Sequence, residues 1–538
     1  MFDSVFCYFP ITFRPPPGDP YGITARDLKI RLRECIASSG HFAPYAFPQL
    51  LEKLDSTSVS VKHDVLQTLA ACASSYGRAT ISNFAITLWD SIKYEIFNAQ
   101  EEELASNALG TLRSIATRLG QGQHSADAAS PLALYLKPIT KECNEKLQEP
   151  QHKQAKSAGQ ILGTLGAASE VAFHIVIRAC FPPLSTLYQA AETVVTQRAL
   201  LEVFIQILDA AIIVYGTPAS PTPPSRLENP LIPFKDRLFE LTSQALMSTA
   251  IEELSFRMVA LQVVLRLSML RQYLEENEIG MFVQYLDEII LSENPTGRDD
   301  LRNSAVQALV DISRIKPQLI MTITFPAFIG RLPDEASADS TEYLNTLEGL
   351  AQLSVDKFVS DTLVRRLLNR LDIVLGTHSP PAYSQAIIST IHFVLARRDL
   401  NNDQHIQDYI QRIVVGLTDK AVKACTGAIP AAALTDVETL ERLGRLIALV
   451  VASADQHKQL SMANQCYSLF QEDNHFLPIP FRQPTPGAPE RLTLVLTTAI
   501  IAAISPLASF AFHSSVSQSN YLRLCPNFWM MGKHLDAT

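Results

Sequence analysis

Apolar residues recur along this chain at spacings of three and four, and the elements they predict are almost all helices. In Pro48–Ser56 (PQLLEKLDS), Leu50, Leu51 and Leu54 share one face. In Ser60–Gly77, Val61, Val65, Leu69 and Ala73 stand four apart, with Leu66 and Ala70 beside them. Such spacings put side chains on one stripe of a 3.6-residue helix. Asp55–Ser60 supplies a polar turn with Ser and Thr oxygens suited to N-capping. Gly77, after the last apolar turn, is expected as a left-handed C-cap. This helical hairpin has one wide apolar side that it cannot bury alone. It therefore needs copies of itself as neighbours.

The copies follow. Predicted pairs are Phe84–Ile96 with Glu103–Leu119, Leu132–Leu147 with Lys153–Leu165, and Val171–Tyr188 with Gln197–Val214. Next come Phe234–Leu246 with Phe256–Leu267, Ile279–Leu291 with Leu301–Ile315, and Phe325–Leu332 with Thr341–Leu353. Then come Phe358–Leu375 with Tyr383–Leu395 and His405–Leu417 with Val437–Val451, and Lys458–Phe470 begins another. The second helices share a register: SVKHDVLQTLAAC, ELASNALGTLRSI, KQAKSAGQILGTL, FRMVALQVVLRLS and LRNSAVQALVDIS. Their starts fall roughly 40 to 50 residues apart where no loop intervenes, the period of HEAT or armadillo arrays. The expected fold is all-α, a HEAT/armadillo-like superhelical solenoid of stacked hairpins. The best strand signal is the short IMTITF run before Pro326.

Breaks in the pattern divide the chain. Repeats span 1–215, a proline-dense insertion 216–234, and further repeats 235–470. A Pro-rich linker follows at 471–491, an apolar segment at 492–512, and a tail without helical period at 513–538. In the insertion, Thr217, Ser220 and Thr222 each precede a proline, the minimal pattern for proline-directed phosphorylation. Leu492–Phe512 carries no charge and is long enough to cross a bilayer. Its threonines and serines and an internal Pro506 fit two buried repeat helices as well, and no membrane is expected; a membrane-tethered adaptor would depend on this segment alone.

Composition narrows the function. With 538 residues, the chain exceeds what one hydrophobic core supports. The hydrophobic share of 47% is enough to fill an extended core. A formal net charge of -9 argues against generic phosphate binding, which draws on Lys and Arg displacing counterions. The 8 cysteines are dispersed, none in a CxxC pair, and fit buried thiols in a reducing compartment. The N-terminus lacks the basic and apolar regions of a signal peptide.

No pattern carries catalysis. The chain has no phosphate-cradling GxxxxGK[ST], no GxGxxG after a strand, no GxSxG and no HExxH. Gly159, Gly163 and Gly166 lie on a predicted helix and read as sites of close packing. His63 and Asp64 are adjacent on a helix and face apart. His174 with Cys180, and Cys143 with His152, fall short of the three or four ligands zinc takes. The compact basic groups are Arg365, Arg366 and Arg370, and Arg397 with Arg398. They are read as lying on neighbouring hairpins, where they could line up into one strip. The expectation is a non-enzyme without catalytic residue, cofactor or metal, whose binding residues are unassigned.

The opening stretch adds a name to the pattern. CYFPITFRPPPGDPYGIT at Cys7–Thr24, LLEKLDS at Leu50–Ser56 and LQTLAAC at Leu66–Cys72 closely resemble the Mms-nineteen (Met-eighteen) family. The match is strongest over about residues 6–115, and is one of pattern from about 130 to 510. Members are HEAT-repeat scaffolds of the cytosolic iron–sulfur assembly targeting complex, named for nucleotide excision repair and transcription. The resemblance implies a scaffold that works with a WD-repeat propeller and a small adaptor in nucleus and cytoplasm. It would present apoproteins for cluster insertion, among them helicases, polymerases and the TFIIH helicase, without binding nucleic acid itself. The alternative is a repeat protein acting directly in excision repair or RNA polymerase II transcription. Family members run to about a thousand residues, so this chain is expected to be truncated at both ends, with nothing after about residue 512 to match their partner-docking repeats.

Overall fold

A computed structural model describes residues 2–458 apart from 13–21, 221–225, 248–252, 293–298, 337–341, 378, 400–403, 426–428, 430 and 455–456. The repeat expected from Lys458, the Pro-rich linker, the apolar segment and the tail lie outside the described residues.

Every regular element among the described residues is helical. The chain divides into two compact units, Met1–Ile315 and Lys316–Thr538, and the insertion 216–234 lies inside the first.

The first unit opens with a short helix α1 (Phe2–Phe6) and α2 (Ala25–Ala37). Six hairpins follow: α3 (Ala43–Leu54) with α4 (Val59–Ser75), α5 (Arg78–Phe97) with α6 (Glu102–Gly120), and α7 (Pro131–Leu147) with α8 (Lys153–Gly166). The other three are α9 (Glu170–Ala190) with α10 (Val194–Tyr215), α11 (Lys235–Leu246) with α12 (Leu254–Met269), and α13 (Glu276–Ser292) with α14 (Asp299–Ile315). Within each pair the helices pack together. Between pairs, α2, α4, α6, α8, α10, α12 and α14 form one continuous row, while α3, α5, α7 and α9 form a second. The core is the seam between the rows. Val65, Leu66, Leu69, Leu112, Ile115, Ile161, Leu162, Phe204 and Ile207 are all essentially without exposure there.

The predicted pairs from Phe84 to Ile315 are all present, with ends shifted by a few residues. Three local expectations change. Helix α2 was not anticipated, because a charged sequence follows a proline-dense one. Its start is nonetheless written locally: Thr24 accepts from the Asp27 N–H at 3.2 Å and the Asp27 carboxylate accepts from the Thr24 N–H at 2.9 Å, a reciprocal capping box. Gly77 is not a left-handed C-cap. It sits at φ -61°, as the N-cap of α5, because the chain turns directly from α4 into the next hairpin. Ser58 occupies the N-cap position of α4 without a side-chain capping bond.

The second unit begins with one turn, α15 (Pro317–Leu319), then a π-helical turn Ile320–Thr324 running into α16 (Phe325–Arg331). The run read as strand-like is therefore a wide helical turn, closed by the Phe325 N–H bonding to the Ile320 carbonyl. Proline supplies the reason. Pro326 has no N–H, and its ring would press on the carbonyl four residues back in a regular α turn. Then come α17 (Glu342–Leu353), α18 (Lys357–Val374) and α19 (Pro381–Asp399). The segment predicted as one helix from His405 is a 3-10 stretch Gln404–Tyr409, a π turn Gln411–Gly416 and α20 (Leu417–Cys425). The last described helix is α21 (Val437–Ala452). The pairs α16 with α17 and α18 with α19, and the row α17, α19 and α21, repeat the two-row packing within this unit.

Candidate interaction surfaces

Several of the residues that carry chemistry in the sequence are taken up by contacts with other helices or loops of the array. His63 and Asp64 face apart, as adjacent helical positions must. The His63 ring nitrogen Nδ1 meets Asn107 Nδ2 at 2.7 Å, while Asp64 pairs with Lys29 at 2.6 Å. His174 lies beside a loop, its Nε2 donating to the Glu228 carbonyl at 2.6 Å. Cys180 is buried, its thiol directed at the Thr140 carbonyl. Cys143 is fully buried, whereas His152 is exposed beside Glu149 at 2.6 Å. Among the described residues no group of three or more His, Cys, Asp or Glu converges on a metal position.

A ladder of ion pairs links the first hairpins. Lys29 of α2 pairs with Asp64 of α4, Lys62 of α4 with Glu95 of α5 at 2.6 Å, and Lys93 of α5 with Glu142 of α7 at 3.0 Å. Buried hydroxyls add to it: Thr111 donates to the Leu66 carbonyl at 2.9 Å and Tyr76 to that of Ile36 at 2.7 Å. The Arg118 guanidinium donates to the carbonyls of Ser75 and Tyr76 at the end of α4. Of these, Lys62–Glu95 is the most buried, and removing one of its partners would leave an uncompensated charge.

The Pro-rich insertion reads in sequence as an irregular surface loop. In its described second part it is a strap with fixed partners. The Glu170 carboxylate, in the first turn of α9, accepts the backbone N–H groups of Arg226 and Leu227, both at 3.0 Å. His174, one turn on, holds the Glu228 carbonyl. Leu231 is fully buried and its carbonyl accepts from the Tyr273 hydroxyl at 3.1 Å. The Phe234 ring packs on Phe181 with centroids 4.7 Å apart. At the other end, the Gly216 carbonyl accepts the Arg271 N–H at 3.1 Å. Sequence reasoning found the loop by its prolines but not its partners, because Glu170 and His174 lie more than 50 residues away and carry no local signal.

The arginine groups do not form a strip across hairpins. Helices α18 and α19 are the two halves of one hairpin, which corrects their assignment to neighbours. Arg370 pairs with Asp334 and donates to the Ile329 carbonyl at 3.1 Å. Arg398 is buried and pairs with Asp361, which also accepts from the Tyr409 hydroxyl at 2.7 Å. Arg365 is exposed, with Arg366 and Arg397 half-buried. Two of the five basic groups are thus internal fasteners. An open depression of about 340 Å³ on α7 and α9 is lined by Lys137, Lys141, Asn144, Glu145 and Gln148, which mix both signs of charge and converge on no point.

Two rows of helical hairpins, packed within and between pairs, define a HEAT-type array. The family model described as Dos2-interacting transcription regulator of RNA-Pol-II matches residues 1–98. The model described as RNAPII transcription regulator C-terminal matches residues 346–527. This chain belongs to the MMS19 family. The fission yeast Schizosaccharomyces pombe protein named DNA repair/transcription protein mms19 is 27% identical over 420 residues, 77% of this chain and 40% of that one. The zebrafish Danio rerio protein named MMS19 nucleotide excision repair protein homolog is 28% identical over 500 residues, 89% of this chain and 48% of that one. The chain thus spans less than half the length of these relatives. A solved structure of importin beta is similar at 13% identity with a TM-score of 0.40, covering 87% of this chain and 54% of its own. The second family match carries the family signal well beyond the opening stretch, into residues where the sequence alone offered pattern.

Proposed function

We propose that this chain is a scaffold of cytosolic iron–sulfur protein assembly. It presents apoproteins of DNA repair, replication and transcription for cluster insertion, in nucleus and cytoplasm. The supporting observation is that His63, Asp64, Arg118, His174, Arg370 and Arg398 are each bonded to another element of the array, which favours ridges and loops as the means of action. Family membership supplies the direction. The partners in this reading are a WD-repeat propeller, a small adaptor and client helicases and polymerases, including the TFIIH helicase. The cluster is cargo, held by donor and client. A DNA repair and transcription role follows through those clients, in keeping with the names of the relatives.

The test is direct binding between the full chain and a purified iron–sulfur helicase in its apo and cluster-loaded forms. The expected result is binding of the apo form and weaker binding of the loaded form. Binding of neither, together with submicromolar duplex DNA binding, would replace this reading with direct action on nucleic acid.

A further inference from the structure

Helix α18 carries an outward stripe that packing leaves largely open. Phe358, Thr362, Arg365, Arg366, Asn369 and Ile373 recur at spacings of three and four, so they share one side of the helix. The other side buries Leu363, Leu367 and Leu371 without exposure. Two large apolar groups on the stripe meet water: Phe358 is 66% exposed and Ile373 is 50% exposed. They stand roughly 22 Å apart along the axis at 1.5 Å per residue. Covering such surface is favourable by about 25 cal/mol per Å².

Between these two groups the unmatched charge is positive. The carboxylates of α18 already have cations. Asp361 takes Arg398 and the Tyr409 hydroxyl, and Asp372 takes Lys420, with Arg412 at 3.9 Å. Arg365 and Arg366 differ: neither side chain makes an ion pair or hydrogen bond with another described residue. Arg365 is exposed and Arg366 half-buried. Arg412 donates to Asn369 at 2.8 Å and so brings a third guanidinium beside the stripe. The chain as a whole has a formal net charge of -9, so this face stands against the sign of its surroundings. Arginine takes a carboxylate through two parallel N–H···O bonds. Arginine and large apolar anchors together carry much of the energy of protein interfaces. A phosphate backbone would meet the guanidiniums but offers nothing to Phe358 and Ile373.

We infer that this face of α18 is a docking site for an acidic amphipathic helix of a partner protein. Carboxylates of the partner meet Arg365, Arg366 and Arg412, and its apolar residues cover Phe358 and Ile373. The inference does not rest on the iron–sulfur reading, because it concerns what the surface binds and not what the complex then does.

The probe is a labelled helical peptide of about 18 residues, long enough for the stripe, with leucine in its first and last turns and glutamate between. Fluorescence anisotropy with the full chain should show saturable binding. Arg365→Gln combined with Arg366→Gln should weaken it about tenfold or more, and Phe358→Ala about fivefold or more. Lys141→Gln, at an exposed cation on α7, should leave it unchanged. The folding of each variant is checked by its circular dichroism melt. Absence of binding, binding indifferent to the arginine pair, or equal binding of an all-glutamate peptide overturns the site. Duplex DNA that displaces the peptide at lower concentration than unlabelled peptide does overturns it in favour of nucleic acid. A dimer of the chain that is lost in Phe358→Asp overturns it in favour of self-association.

Discussion

Burial decides what single residues can do here. Burial pushes the Cys72 thiol up to about 11 and that of Cys180 to about 12, and raises Cys143 well above its ordinary value. Thiolate is the reactive form, so these three are inert at neutral pH. Cys7 and Cys35 are exposed. Alkylation of the native protein at pH 8 should label Cys7 and Cys35 within minutes, and the buried three after denaturation alone. Fast native labelling of Cys143 would contradict the packing of α7. His174 behaves differently. Its burial, with Arg178 adding to it, holds the imidazole below the ordinary range, against the pull of the Glu228 carbonyl and the charges of Glu170 and Glu228. A base whose folded value is depressed contributes stability that is present above its unfolded value of about 6.5 and is lost as pH falls below it. Amides of Leu227 and Leu231 should therefore exchange faster at pH 5.5 than at 7.5, after correction for intrinsic rates. His174→Gln should remove the difference.

At the scale of elements, α8 and α10 approach closely at two glycines. A Cβ at Gly163 would lie 2.7 Å from the Gln206 carbonyl oxygen, and one at Gly159 would lie 3.1 Å from Val203. The first contact is with backbone, which cannot swing aside. Gly163→Ala should cost about 1 to 3 kcal/mol, the range for overpacking a tight interior. Gly110→Ala, facing open space, should raise stability slightly through helix propensity. Urea unfolding of both variants decides the matter. The glycine stripe was legible in sequence as a packing surface, as were the hairpins from Phe84 to Ile315, because their apolar stripes are long and regular. What escaped was set by distant contacts or by single residues. Ile320–Thr324 is β-branched enough to suggest a strand, but helices on either side and Pro326 impose a wide helical turn. The strap was legible as proline-rich and no further. The arginines at 370 and 398 looked like a binding strip because Asp334 and Asp361, their partners, lie 36 and 37 residues away.

For the whole molecule, the charge distribution predicts weak contact with nucleic acid. Arg370 and Arg398 are engaged, which leaves Arg365, Arg366 and Arg397 as the accessible remainder of those groups. Titration with labelled duplex and single-stranded DNA at two salt concentrations should give affinities no tighter than nonspecific binding, about 10⁻⁴ to 10⁻⁶ M. Submicromolar binding that weakens steeply with salt and is lost on replacing the three arginines by glutamine would defeat this expectation. A stack of hairpins has a further vulnerability that the wide turn before α16 illuminates. One residue gained or lost inside a regular helix rotates everything after it by about 100°, carrying apolar groups out of the seam. A π turn holds one residue more than an α turn over the same span. Ile320–Thr324 is thus a place where chain length and facing are uncoupled. Deleting Met321 should convert it to an ordinary turn with Phe325 and Phe328 still facing inward, so the second unit should still melt cooperatively, at a temperature lowered by the press of the Pro326 ring, about 3 kcal/mol. Deleting Asn369, midway along α18, should abolish cooperative melting of the second unit. Length variation along such arrays is then tolerated where a helix can absorb a residue in its own winding, as well as in its loops.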